Sequence, residues 1–252
     1  MDIAVFTGAS SGMGREFARQ LAPLGAYDEI WVIARRRELL ETLADEVGRP
    51  VRVLAMDLTD PASLDAYRDL LAAERPNVRL FVNASGFGKF GSFETMDYTV
   101  MMEMIDLNDK ACVALTYLTL PYMTAGGEIY LLGSLSSFQP VPYINVYGAT
   151  KAFVLSFSRA LNVELKKRGI RVMAVCPGWV RTPFFERAVV DDTITYYNRF
   201  FTPEQVVRRA KRDMRRGKDV SVCGASVRFQ VFLTKLLPHR LVMRVWCRQQ
   251  KK

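Results

Sequence analysis

An open, doubly wound α/β sheet of parallel strands is the fold class this sequence predicts, and three observations carry it. Short apolar runs alternate with stretches of helical period along the chain. That alternation marks βαβ units, whose right-handed crossovers place helices on both faces of a parallel sheet. The first apolar run meets a glycine-rich turn, Thr7-Gly8-Ala9-Ser10-Ser11-Gly12-Met13-Gly14, before the first helical stretch. Finally, 252 residues, half of them apolar and without an internal repeat or low-complexity tract, suffice for a single large core.

Taken in order, strands are expected at 2–7, 29–34, 51–56, 79–83, 128–133 and 170–176, with a shorter one near 219–223. Helices are expected at 13–24, 36–47, 61–74, 97–124, 147–168 and 203–216. Asp60-Pro61 offers a capping side chain followed by proline at the first helical position, where the missing N–H costs nothing. Thr202-Pro203-Glu204 repeats the device. The connection at 183–202 is long and aromatic, with Phe184, Phe185, Tyr196, Tyr197, Phe200 and Phe201. Residues 1–223 are expected to form one domain, and 224–252 a basic amphipathic extension packed on that domain or on a partner.

Two local patterns suggest chemistry. A glycine-rich turn between a first strand and a first helix lets backbone N–H groups approach a pyrophosphate at the helix N-terminus. Tyr147 and Lys151 stand four apart on an expected helix and so share a face. An ammonium beside a phenol favours the phenolate and draws a pKa of about 10 toward neutrality, as a general acid/base requires. Ser134, thirteen residues before Tyr147, can hydrogen-bond the oxygen that Tyr147 protonates.

TGASSGMG at the first turn, Asn83-Ala84-Ser85-Gly86 after a later strand, Ser134, Tyr147-Gly148-Ala149-Thr150-Lys151 and Pro177-Gly178-Trp179-Val180-Arg181-Thr182 stand in one register. In order and spacing the chain resembles the short-chain dehydrogenase/reductase family, of its classical type, over roughly residues 2 to 223. The resemblance implies a single Rossmann-fold domain and an oxidoreductase with a nicotinamide cofactor. It implies that Ser134 orients a carbonyl, that Tyr147 exchanges the proton, and that Lys151 lowers the tyrosine pKa and holds the nicotinamide ribose. Asn108, thirteen residues before Pro121, matches the family's fourth catalytic position, where it is expected to hold a water linking the lysine to solvent. Ser136 and Ser137 are rival hydroxyls without the family's spacing to Tyr147.

The cofactor contacts follow from the same resemblance. Gly8, Ser10, Ser11, Gly12, Met13 and Gly14 form the phosphate turn, Asp57-Leu58 meets the adenine, and Asn83, Ala84 and Gly86 pass beneath the adenosine ribose. The common NNAG departs here to Asn83-Ala84-Ser85-Gly86, which keeps small residues at its centre. Pro177 and Gly178 turn over the nicotinamide, and Val180 and Thr182 match the positions that hold its carboxamide. An acid at the end of the second strand would accept the 2′-hydroxyl of NAD, but Ala34 is followed by Arg35-Arg36-Arg37. Arginine offers a planar fork to a 2′-phosphate, so NADP(H) is expected, with Arg35 the first contact and Arg36 the second. Arg37 fits a solvated helix start.

Phe138, Gln139, Val141, Tyr143 and Ile144, with Phe87, Phe184 and Phe185, suggest an apolar pocket with few polar handles. It would take a ketone on a bulky hydrophobic body, such as a steroid, a bile acid or a long-chain acyl compound. By the family's pattern the stretch at 183–202 is the substrate-covering lid. Two rival functions stay open at this point, a non-catalytic NADP(H) sensor on the same fold and a membrane-peripheral acyl-chain ketoreductase.

Bulk properties narrow the remaining classes. The chain enters its first strand at once, so no leader is expected, and its four cysteines show neither CxxC nor metal spacing. Reduced thiols and a cytoplasmic location are expected, with no metal. The lone histidine, His239, excludes a histidine-based triad. Residues 206–252 hold 14 Lys+Arg against 2 Asp+Glu, so the formal +9 arises there. No aromatic stacking array accompanies that charge, which sets nucleic acid aside. The apolar residues of the tail are expected to pack on the core or a partner subunit, a membrane surface being the alternative. The family's habit implies a homodimer or homotetramer.

Overall fold

The computed structural model describes residues 1–189 and 191–252. Among the described residues nine strands form in chain order: β1 (Asp2–Thr7), β2 (Glu29–Ala34), β3 (Val51–Ala55), β4 (Asn77–Asn83), β5 (Glu128–Leu132), β6 (Arg171–Val175), β7 (Trp179–Val180), β8 (Phe200–Phe201) and β9 (Val220–Ser221). Seven of them make one sheet in the order β3-β2-β1-β4-β5-β6-β9, every pairing parallel. The order reverses direction between β1 and β4, and in open parallel sheets such a switch point leaves a crevice beyond the strand C-termini. Side-chain alternation splits β1 between two cores: Ala4 and Phe6 enter one, Ile3 and Val5 the other.

The first core lies under α1 (Gly12–Leu21), α2 (Arg37–Val47) and α8 (Pro203–Arg215), with Phe17, Leu40, Val207 and Met214 buried. The second lies under α3 (Pro61–Glu74), α5 (Ala111–Thr119) and α6 (Asn145–Glu164), with Tyr67, Leu115 and Leu161. Both sequence-predicted caps form. Asp60 accepts from Ala62 N at 3.0 Å, and Thr202 and Gln205 bond each other's backbone N–H groups.

The single helix expected at 97–124 is broken. It runs as α4 (Tyr98–Ile105), a π-helical turn over Asp106–Lys110, α5, and a 3₁₀ turn over Leu120–Tyr122 that contains Pro121. The wide turn brings Asn108 inward, where it is buried. Hydrophobic periodicity alone carries no sign of such an insertion. The edge strand β9 is also shorter than expected, pairing only two residues with β6.

The aromatic connection folds back on the sheet's C-terminal end. α7 (Pro183–Ala188) begins it, β8 pairs with β7, and Trp179, Phe185, Tyr197 and Phe200 pack with centroids 4.9–6.0 Å apart, edge-on except for the tilted Tyr197–Phe200 pair. Two helices follow β9, α9 (Ala225–Leu236) and α10 (His239–Gln249). α9 buries Val227, Val231 and Thr234. Beyond α10, Gln250 is buried and ties down the connection: its Oε1 accepts from Thr195 N (2.9 Å) and Tyr196 N (3.0 Å), and its Nε2 donates to Tyr196 O (3.2 Å). Trp246 Nε1 donates to Pro142 O at 3.0 Å. Trp246 and Gln250 thus tie the C-terminal helix to Pro142, Thr195 and Tyr196. Leu241 and Val245 are exposed, because α10 turns a single face, that of Trp246, to the domain.

Candidate active site

Thr7, the last residue of β1, organises the switch point. Its hydroxyl donates to Asn83 Oδ1 at 2.8 Å and accepts from the N–H groups of Ala84 (3.2 Å) and Ser85 (3.1 Å). The β1 and β4 loops are thereby drawn together. Gly8 has φ +65°, and a Cβ there would stand 2.7 Å from Ala84 O. At Gly14 a Cβ would meet Gly8 O at 2.4 Å, so α1 begins directly against the turn. Such closeness keeps side chains out of the way of a diphosphate at the N-terminus of α1. Thr7 stands outside the expected contact residues, since a strand-end threonine has no sequence signal of its own.

The basic run after β2 divides in two. Arg36 donates to both Ser10 Oγ and Ser11 Oγ at 2.9 Å, placing its guanidinium over the phosphate turn. Arg35 is largely exposed and lies 3.7 Å from Asp57. Burial holds Arg36 below the usual guanidinium range, and the neighbouring charges of Arg187 and Arg35 add to that. Three cations, Arg36, Arg187 and Arg35, gather here with Asp57 beside Arg35, and such a cluster suits a polyanion. Burial works against the Asp57 carboxylate, yet Thr59's backbone and hydroxyl bonds and Arg35 hold it below the usual range. These residues fit a nicotinamide dinucleotide: the glycines would cradle its diphosphate, and the arginines would hold its anionic groups.

Ser134, Tyr147 and Lys151 converge at the far end of the same crevice. Ser134 follows β5 and caps a 3₁₀ turn, its Oγ accepting from Ser136 N at 3.2 Å. Ser137, one of the rival hydroxyls, is committed elsewhere: it accepts from Ser134 N at 3.1 Å and donates to Lys151 O at 2.6 Å. Ser136 Oγ is buried without a partner among the described residues. Lys151 Nζ donates to Leu132 O at 2.9 Å and lies 5.7 Å from the centroid of the Tyr147 ring.

The expected lowering of the phenol pKa does not appear. Burial pushes Tyr147 up to about 12, against the pull of the hydroxyl bond from Ser134. Lys151 is itself depressed by burial, with Cys112, Asp109 and Cys176 opposing. Asn108 is tied to the protein through its side chain. Its Nδ2 donates to Phe87 O (2.9 Å) and Thr150 Oγ1 (3.0 Å), and its Oδ1 accepts from Phe87 N (3.0 Å). Both amide hydrogens are used within the protein, and the side chain clamps the β4 loop to α6.

One cavity of about 630 Å³ joins these groups. Gly8, Ser10, Ser11, Gly12, Met13, Gly14, Arg35, Arg36, Asp57, Leu58, Ala84 and Gly86 line its dinucleotide half, with Pro177, Gly178, Val180 and Thr182. Phe87, Gln139, Val141, Ile144, Phe184 and Phe185 line the other, beside Ser134, Tyr147 and Lys151. Four expected residues do not. Asn83 and Asn108 are buried behind the wall they support. Tyr143, at φ +66°, gives its carbonyl to Gly91 N and packs with the lid cluster. Phe138 turns into the core against the sheet. Sequence reasoning in turn missed Phe90, Trp179 and, from the C-terminal helices, Gln230, Trp246 and Gln249. A lone tryptophan in a basic tail was the available hint.

The short chain dehydrogenase family profile matches residues 2–192. Sulfoacetaldehyde reductase 2 of Chromohalobacter salexigens is 36% identical over 189 residues, 73% of this chain and 74% of that protein. Among solved structures, a short-chain dehydrogenase from Sphingobium yanoikuyae in complex with NADPH is 30% identical, with TM-score 0.79 and 94% of each chain covered. The bulky-bulky ketone specific alcohol dehydrogenase from Comamonas testosteroni is 25% identical, with TM-score 0.74 over 94% of this chain and 92% of that one. Sequence profile, relatives and backbone agree with the geometry of the crevice: this chain belongs to the short-chain dehydrogenase/reductase family.

Proposed function

We propose that this oxidoreductase is NADP(H)-dependent and interconverts a ketone and a secondary alcohol on a hydrophobic molecule, such as a steroid, a bile acid or a long-chain acyl compound. The observation that carries the reading is the convergence of Ser134, Tyr147 and Lys151 on a cavity whose substrate half is walled by Phe87, Phe90, Val141, Ile144, Trp179, Phe184 and Trp246. That apolar wall, with Gln139, Gln230 and Gln249 among its polar members, favours a bulky apolar body over a sugar.

A bound NADPH supplies the hydride; the chain supplies binding, orientation and a proton. Ser134 donates to the substrate oxygen and orients it. Tyr147, whose phenol stays protonated because burial raises its pKa, gives that oxygen its proton. Lys151 holds the ribose, with the ammonium hydrogens not used on Leu132 O. Arg36, anchored on Ser10 and Ser11, would hold the 2′-phosphate, with the more exposed Arg35 as a second contact. The order of the two arginines expected from sequence is therefore reversed in this reading. The protein works in the cytoplasm as a homodimer or homotetramer, with the exposed Val113 and Tyr117 of α5 and Phe153 of α6 at the subunit contact.

The test is loss of NADPH absorbance with a panel of hydrophobic ketones, run beside sulfoacetaldehyde and NADH. Turnover of bulky ketones with NADPH supports the reading. Turnover of sulfoacetaldehyde alone, or none at all with NADPH tightly bound, would overturn it. Light scattering on the eluting protein measures the assembly.

A further inference from the structure

On α9, Val227, Val231 and Thr234 are buried against the domain, while Phe229, Phe232 and Leu236 are 61%, 55% and 66% exposed. At about 100° per residue the two triplets lie on opposite sides of the helix. Leu237, then Leu241 and Val245 on α10, continue the exposed set at 39%, 42% and 49%. Isolated surface apolar residues are ordinary, but a grouped set on one helical pair marks a surface that meets something.

Charge says what it meets. Residues 225–252 carry Arg228, Lys235, Arg240, Arg244, Arg248, Lys251 and Lys252 and no Asp or Glu. None of the seven joins a salt bridge among the described residues. On α10 the spacing sets Arg244 and Arg248 beside Leu241 and Val245. A second copy docked on this face by a two-fold axis would set like charges against like. An anionic bilayer instead meets both demands, hydrocarbon for the apolar set and acidic headgroups for the cations. No helix among the described residues is long and apolar enough to cross it.

We propose that α9 and α10 dock this chain on the surface of an anionic bilayer, with Phe229, Phe232, Leu236, Leu241 and Val245 entering the headgroup–acyl boundary. Gln230, Trp246 and Gln249, on the same two helices, line the cavity, so the docking element also borders the site.

Flotation of the full chain with vesicles tests this, using phosphatidylcholine alone and phosphatidylcholine mixed with phosphatidylserine. The protein is expected to float with the mixed vesicles only and to leave them as salt rises. Arg240→Ala and Arg244→Ala should each weaken partition about fivefold. Phe232→Asp combined with Leu236→Asp should weaken it at least tenfold while the melting temperature holds, because both side chains are already in water. Phe232→Leu should retain partition. No flotation, equal flotation with phosphatidylcholine alone, or partition untouched by the double aspartate variant would each overturn the proposal. So would a fall in assembled mass in that variant without vesicle binding by the parent, which would assign the face to a second copy.

Discussion

Replacing Asn108 by leucine removes a clamp whose cost can be worked from its contacts. The amide makes three hydrogen bonds, two to the backbone of Phe87 and one to Thr150. Leucine is close in size but strands the N–H and C=O of Phe87 beside a buried apolar group. Each stranded group costs about 1–3 kcal/mol, so a loss of roughly 2–6 kcal/mol is expected. At about 2–4 °C per kcal/mol for a chain near this size, the melting temperature should fall by roughly 4–24 °C. Phe87 lines the cavity and Thr150 precedes Lys151, so kcat should fall along with stability. Asn108→Asp keeps the bond from Phe87 N but loses both donors, and should lie between wild type and Asn108→Leu. Differential scanning calorimetry and steady-state kinetics on the two variants provide the readout. A melting temperature within about 2 °C of wild type, with kcat unchanged, would refute the clamp.

Other consequences can be checked alongside. Arg36→Ala should cost NADPH affinity at least tenfold and NADH affinity little, since a charge-assisted bond is worth about 1.5–3 kcal/mol; titration by cofactor fluorescence measures the ratio. Arg35→Asp should shift the kinetic preference toward NADH by a smaller factor, because Arg35 is exposed. Truncation before Pro238 removes the Trp246 and Gln250 bonds to Pro142, Thr195 and Tyr196, and should lower the melting temperature and raise KM for bulky ketones; an unchanged KM would show that α10 does not shape the cavity. Burial raises Asp109 to about 7, with Lys151 opposing. Its folded pKa lies above its unfolded value of about 3.9, so its contribution is fully present below pH ~4 and is lost as pH rises through about 7. Asp109→Asn should therefore raise the melting temperature more at pH 8 than at pH 5, and an equal shift at both would contradict that sign.

Much of this molecule was legible because its local signals agree with its topology. The glycine turn, the four-residue spacing of Tyr147 and Lys151, and the Asp60 and Thr202 caps are short-range features, each with one geometric solution. The residues that escaped depend on long-range packing. Thr7 matters only because β4 runs beside β1, and Trp246 reaches the cavity across a separation from Pro142 of more than a hundred positions. The π-helical turn at Asp106–Lys110 leaves the apolar pattern on either side undisturbed, so periodicity joined 97–124 into one helix. Tyr143 misled because an aromatic residue between Ser134 and Tyr147 reads as pocket wall until its left-handed backbone turns the ring away. Electrostatic expectation failed for a related reason. Proximity of Lys151 to Tyr147 is visible in sequence, whereas the burial that outweighs it is not.

Tyr147→Phe tests the central claim most directly, since it deletes one hydroxyl and leaves the ring in its place between Phe90 and Phe184. NADPH binding, followed by fluorescence, and ketone reduction, followed by absorbance, are measured on the same preparation. Removal of the proton donor should leave the cofactor dissociation constant within about twofold and reduce kcat by 10²–10⁴-fold, the usual contribution of a general acid. A loss of less than roughly tenfold with binding intact would contradict the assignment of Tyr147 and move the proton to another group.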